Sequence, residues 1–152
     1  MCEQCEDRPR YLAEILDRIE EYGWCVQGVL GTGSRPPWAY SVGLTAHGLP
    51  ELVVTGLPPH PAILLLSALA DRSFASGPPH PGELFSLRGL PSVEVVELTS
   101  PSTHLSIAVS LYGPDVRALQ LVHADEAGLF PWSPSYRDGR GGQPVLGTRA
   151  DG

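Results

Sequence analysis

Residues 36–58, PPWAYSVGLTAHGLPELVVTGLP, constrain the fold more than any other stretch of this chain. A proline inside a sheet removes a ladder donor, so Pro36-Pro37 and Pro58-Pro59 punctuate strands rather than continue them. Between these pairs, two apolar, β-branched runs (Trp38–Leu44 and Leu52–Leu57) flank a polar connection holding His47, Gly48, Pro50 and Glu51. The pattern predicts two paired strands that deliver an imidazole and a carboxylate to one rim.

The flanking elements follow from periodicity. Leu12, Ile15, Leu16 and Ile19 recur at helical spacing, which predicts a helix over 9–22. Asp7 can cap it, Pro9 suits its first turn and Gly23 can stop it. Trp24–Leu30 reads as a strand, and Gly31–Ser34 as the turn before the central pair. Pro61 can open a second helix running to about Phe74, with Ile63, Leu66, Leu69 and Ala70 as its buried stripe. Ser76–Gly82 is a loop. Glu83–Arg88 and Val93–Leu98 suggest another strand pair, with imperfect alternation in the second. Ser102–Tyr112 reads as a short helix ended by Gly113-Pro114, and Val116–Val122 as a last strand, with helix a real competitor there. From Asp125 onward glycine, proline and aromatics dominate. Leu129, Phe130, Trp132, Tyr136, Val145 and Leu146 give this tail enough apolar mass to wrap onto the body, with 148–152 expected to fray.

At 152 residues the chain is expected to be one domain, large enough to bury a core without staples. The expected divisions are a Cys-x-x-Cys segment at 1–8, an α+β domain at 9–147 and the frayed end. Net charge is −7, and no arginine cluster offers the basic face that phosphate neutralisation needs, so no nucleic-acid partner is expected. All ten basic residues are arginine, which excludes lysine-linked pyridoxal chemistry and a phosphate-loop lysine. The absence of lysine and asparagine, with abundant Gly, Pro, Ala and Leu, points to a GC-rich bacterial genome. Met1–Glu6 is acidic and polar, unlike a secretory leader. The longest apolar run, near Ala62–Leu66, falls far short of the roughly 20 residues that span a bilayer. A cytoplasmic protein without a membrane partner is expected.

Three segments carry a resemblance: the central PPWAYSVGLTAHGLPELVVTGLP, then STHLSIAVSLYGPDVRALQLVHADEAGLFPW, then GGQPVLG. With the N-terminal Cys-x-x-Cys and Gly23-Trp24, they resemble the bacterial family called domain of unknown function 4262 over nearly the whole chain. That resemblance implies one compact domain, in an actinobacterial setting, and no catalytic assignment. The element order is also similar to that of flavin-nucleotide-binding split barrels, although the basic phosphate-binding residues of such domains are not evident beside the hairpin.

The chemistry-bearing residues fall into four groups. Glu51 lies four residues after His47 and could orient that imidazole as an acid–base pair; the plainer reading is a solvated turn. His104, His123 and Asp125 could hold zinc or iron, with open positions for substrate, if the fold brought them together. Cys2 and Cys5 have metal-binding or thiol-exchange spacing, with Cys25 the sole further cysteine. Trp38 and Tyr40 alternate on one strand face and could join Trp132 and Tyr136 of the tail in walling a pocket for a planar molecule, or simply pack the tail on the sheet. Arg137 and Arg140, around Gly139 and before Gly141-Gly142, could grip an anion, or belong simply to a flexible glycine-rich loop.

The expected architecture is α+β: an antiparallel sheet of five or six strands, capable of curling toward a barrel, with two or three helices and an irregular C-terminal wrap. The expected function is a small-molecule binding or enzymatic pocket between the hairpin rim and the aromatic tail. The alternatives are a non-catalytic interaction module, using the tail and the acidic first helix, and a zinc-stabilised or thiol-redox domain. No cofactor is specified by the sequence.

Overall fold

The structure is a computed structural model and describes residues 8–150. Asp7, Cys2 and Cys5, and with them the cap and the Cys-x-x-Cys site, lie outside the described residues. Helix α1 spans Arg8–Tyr22 and stops at Gly23, whose amide donates to Ile19 O at 2.7 Å. Strand β1 is Cys25–Val29 and β2 is Trp38–Val42. A single 3-10 turn, Leu44–His47, leads into β3, Glu51–Thr55. Helix α2 covers Pro59–Ser76. Strands β4 (Leu84–Phe85) and β5 (Val93–Leu98) follow. The expected helix over 102–112 is two pieces, α3 (Pro101–His104) and α4 (Ser106–Tyr112), because Leu105 leaves helical geometry at φ −113°, ψ 57° and turns its side chain into the core. Strand β6 is Ala118–His123, and β7 (Gly147–Thr148) closes the described chain.

The seven strands form one sheet in the order β1-β2-β3-β6-β5-β4, with β7 beside β5. Two expectations are corrected here. The sheet is mixed: β3 and β6 run parallel, with Glu51 opposite Ala118 and Val53 opposite Gln120, while the other pairs are antiparallel. It is also open, with β1 at one edge and β4 and β7 at the other, so there is no barrel. The cause is the long excursion through α2, β4, β5, α3 and α4, which returns the chain beside β3 in the same direction, as only a crossover can.

Helices cover both faces. On one, α2 lays Ala62, Leu65, Leu66, Leu69 and Ala70 on Leu52, Val54, Leu119 and Leu121. On the other, Ile15 and Ile19 of α1, with Leu105, Ile107 and Ala108, pack on Tyr40, Val42, Val53 and Ala118. Strands buried on both sides read as continuous apolar runs, which accounts for the poor alternation of β5. Two stripe residues are corrected: Leu16 is 47% and Ile63 43% exposed. Each sits one position past the helix face that its neighbours bury, Ile15 in α1 and Ala62 in α2. The tail from Asp125 wraps the body, with Tyr136 and Gln143 buried and β7 paired to Glu97 and Leu98.

Candidate functional site

Strand β3 has two ends: His47 and Glu51 lie at one, and His123, Asp125, Arg137 and Arg140 at the other. At its start, Glu51 is completely buried. Its carboxylate accepts from Ser41 Oγ (2.7 Å), Thr45 Oγ1 (2.6 Å) and the amides of Gly43, Leu44 and Thr45 (3.3, 3.2 and 2.9 Å). Five donors saturate both oxygens, so this carboxylate caps the 3-10 turn. Ser41 Oγ in turn accepts from Leu52 N at 2.8 Å. His47 does not meet Glu51. Its Nε2 pairs with Gly23 O at 3.1 Å and its ring stands edge-on to Phe74, 5.0 Å between centroids. The imidazole is exposed and ties the turn to the end of α1.

At the other end, after Thr55, lies a cavity of about 1040 Å³. It opens at the carboxyl ends of β3 and β6, the parallel pair. Sheets of parallel strands present their loops to ligands at that end. Its walls include Leu57, Pro91 and Leu129, and its charged lining includes His123, Asp125, Arg137 and Arg140. Residues assigned from the sequence to two separate clusters therefore meet in one cavity.

Asp125 organises this end. Its Oδ1 accepts from Ala127 N (2.9 Å) and Leu129 N (2.8 Å), and Oδ2 from Arg137 N (2.8 Å). The bond from Arg137 N, then that from Leu129 N, holds the Asp125 carboxyl below its ordinary pKa. Anchored there, Arg137 and Asp138 both take left-handed backbone, φ 48° and 55°, a conformation that costs non-glycine residues energy. Arg137 Nη1 donates to Gly141 O and Nη2 to Gly56 O, each at 3.3 Å, and its guanidinium lies over the Tyr136 ring. Among the described residues it has no carboxylate ion-pair partner. Arg140 is exposed, donating from Nε to Arg137 O and lying 3.6 Å from Asp138.

His123 is buried on the cavity side of β6. Its Nε2 bonds to Thr55 O at 2.9 Å, and the Gln143 side chain brackets its backbone: Oε1 accepts from His123 N at 2.9 Å and Nε2 donates to His123 O at 2.8 Å. Burial pushes its imidazole below the ordinary histidine value. The nearby Arg137 charge acts in the same sense, against the carbonyls of Thr55 and Ala124. The ring is therefore held toward its neutral form.

His104 does not join this group. It contacts Trp38 edge-on, with centroids 6.5 Å apart, and Trp38 Nε1 donates to His104 O. That is the α1 and α4 side of the sheet, whereas His123 shares strand parity with Leu119 and Leu121, which face α2. Among the described residues no group of three His, Cys, Asp or Glu side chains is placed to hold a metal. Trp38 and Tyr40 do not meet Trp132 either. The Tyr40 hydroxyl accepts from Ile107 N at 3.0 Å, while Trp132 stacks on Phe130 and under the Arg149 guanidinium. Cys25 is a free, half-buried thiol whose pKa burial raises.

Sequence reading missed Gln120 and Gln143. Gln120 is fully buried in mid-strand. An amide inside the apolar run Ala118–Val122 is a signal that something polar must meet it.

A mixed α+β sheet layered by helices on both faces, with a charged cavity at the ends of its parallel pair, is the class that fold and site define. The family model described as a domain of unknown function (DUF4262) matches residues 18–137, and the chain belongs to that family. Comparison with curated proteins and with solved structures gives no match. No helix among the described residues is long and apolar enough to cross a membrane.

Proposed function

We propose that this protein binds a small anionic molecule with an apolar body in the cavity beyond β3 and β6. The observation that carries this reading is the Arg137 guanidinium. It lines the cavity, is oriented by two carbonyls and an aromatic face, and has no carboxylate within ion-pair distance among the described residues, the Asp125 charge acting on it only from farther off. A guanidinium so held retains donors for a carboxylate or phosphate. Arg140 supplies a second charge, Leu57, Pro91 and Leu129 an apolar wall, and neutral His123 a polar one. His47 and Glu51, as the pair the sequence suggested, have no part in this site; Trp38, Tyr40 and Trp132 are packing residues in this reading. A bacterial, cytoplasmic setting fits the all-arginine composition and the absence of long apolar segments.

The test is thermal denaturation with inorganic phosphate, citrate and benzoate, against sodium chloride at matched ionic strength. A ligand at about 100 times its Kd stabilises by about 2.7 kcal/mol. Arg140→Gln should keep the unliganded Tm and reduce the shift, and Arg137→Gln should abolish it. If none of the three anions shifts the Tm beyond the salt control, the anion reading fails.

A further inference from the structure

Residues 143–149 lie in a polar groove that grips both their main chain and the side chains of Gln143 and Arg149. Gln120 Nε2 donates to Pro144 O at 2.8 Å, and Gln120 Oε1 accepts from Leu146 N at 2.7 Å. Thr55 Oγ1 donates to Pro144 O at 2.7 Å. Gln143 clasps both backbone groups of His123, and Tyr136 Oη meets the same amide. Beyond them β7 pairs with β5, and Arg149 makes a two-point ion pair with the mostly buried Glu94, at 2.9 and 3.1 Å. Gln120, Thr55 and Glu94 are all buried or nearly so. Without this segment their polar groups would lack these partners, which is costly inside a sheet. Val145 and Leu146, by contrast, are only partly covered.

The connection into this segment is strained. Arg137 and Asp138 hold left-handed backbone, and Gly139, Gly141 and Gly142 follow with φ of 80°, 67° and 95°. An extended hinge would return both non-glycine residues to ordinary φ. Short strained hinges beside a self-complementary element favour exchange of that element between copies. We propose that residues 143–149 form an exchangeable strap, and that the groove accepts the same strap from a second copy of this chain to give a strand-swapped dimer hinged at 137–142. The groove contacts stand apart from the cavity, whereas the hinge shares Arg137 and Arg140 with it.

Charge reversal tests this directly. Glu94→Arg sets two arginines against each other within one chain, and Arg149→Glu sets two glutamates. Reciprocal exchange between these two variants restores an opposite-charge pair at both grooves. Unfolded together and refolded as an equimolar mixture, they should give a heterodimer of twice the chain mass by light scattering, and each alone should not. The double variant Glu94→Arg, Arg149→Glu, with its pair restored in one chain, shows whether arginine is tolerated at 94. A mixture that stays monomeric while the double variant folds overturns the proposal. If the double variant fails to fold, a chain lacking Gly141 and Gly142 decides. Its shortened hinge should force dimerisation, and a product that remains monomeric overturns the proposal.

Discussion

The two ends of β3 use charged side chains in opposite ways. At Glu51 a carboxylate is sealed in, and five donors from one short segment close around it. At Thr55 and beyond, charges from distant segments line an open cavity, and the guanidinium of Arg137 donates to carbonyls, lies over a ring and feels the Asp125 carboxylate only from beyond ion-pair distance. About 13 Å of strand separates the two, at roughly 3.3 Å per residue. A saturated carboxylate holds a turn in place, whereas a guanidinium with no contact ion pair beside a cavity remains available to a ligand. Sequence proximity made His47 and Glu51 look like the chemical pair. The fold assigns them to the sealed end.

The sharpest way to break this contrast is Glu51→Ala. It leaves three amides and two hydroxyls without their acceptor, and unfolding in urea should show a loss of about 3–5 kcal/mol. A loss under about 1 kcal/mol would mean that the sealed end is not sealed. Next in size is Gly56→Ala. Gly56 has φ 72°, and a methyl there would run into the Gly142 carbonyl. We expect about 1–3 kcal/mol of destabilisation from strain alone, with weakened anion-induced stabilisation because Arg137 is tied to Gly56 O. An unchanged anion response would uncouple the loop from the site.

Acidification probes both charges of the open end. His123 has a lowered folded pKa, so below the ordinary value of about 6.5 the unfolded chain binds the extra proton first. Its contribution to stability is therefore complete above that value and falls as pH drops toward the folded pKa. His104, also lowered by burial, adds to the same window. His123→Gln should flatten the dependence just below about pH 6.5; an unaltered slope assigns it to His104. Asp125 acts lower. Its depressed pKa gives stability that is present above about 3.9 and lost as pH falls through the folded value. The smallest effect is expected at His47→Ala, about 1 kcal/mol or less for one exposed hydrogen bond and a ring contact. It should leave the anion response intact. Loss of that response would join the two ends after all.

How legible this was depends on distance along the chain. The central strand pair, α1 and α2 were readable because hydrophobic period and proline are local signals. The break at Leu105 was hidden, since the segment carries helical spacing throughout and only the core's demand for that leucine interrupts it. Arg137 and Arg140 beside glycines were readable as an anion grip or as a flexible loop, with nothing local to choose between them. That they share a cavity with His123 and Asp125 could not be read, because the meeting depends on Asp125 reaching twelve residues forward to the Arg137 amide. The separation of His104 from His123 was equally out of reach, because it depends on which face of the sheet each segment packs against.

By itself, then, the sequence determined the element types, the paired strands between the prolines, the family and the residue kinds available for chemistry. Those follow from local conformational preference and side-chain identity. The tertiary structure alone decided that β6 lies parallel to β3, that Glu51 turns inward and that two glutamines hold the C-terminal strap. The physical reason is that pairing partners and burial are set by contacts between distant segments, where a buried polar group must find whichever partner the whole fold brings to it.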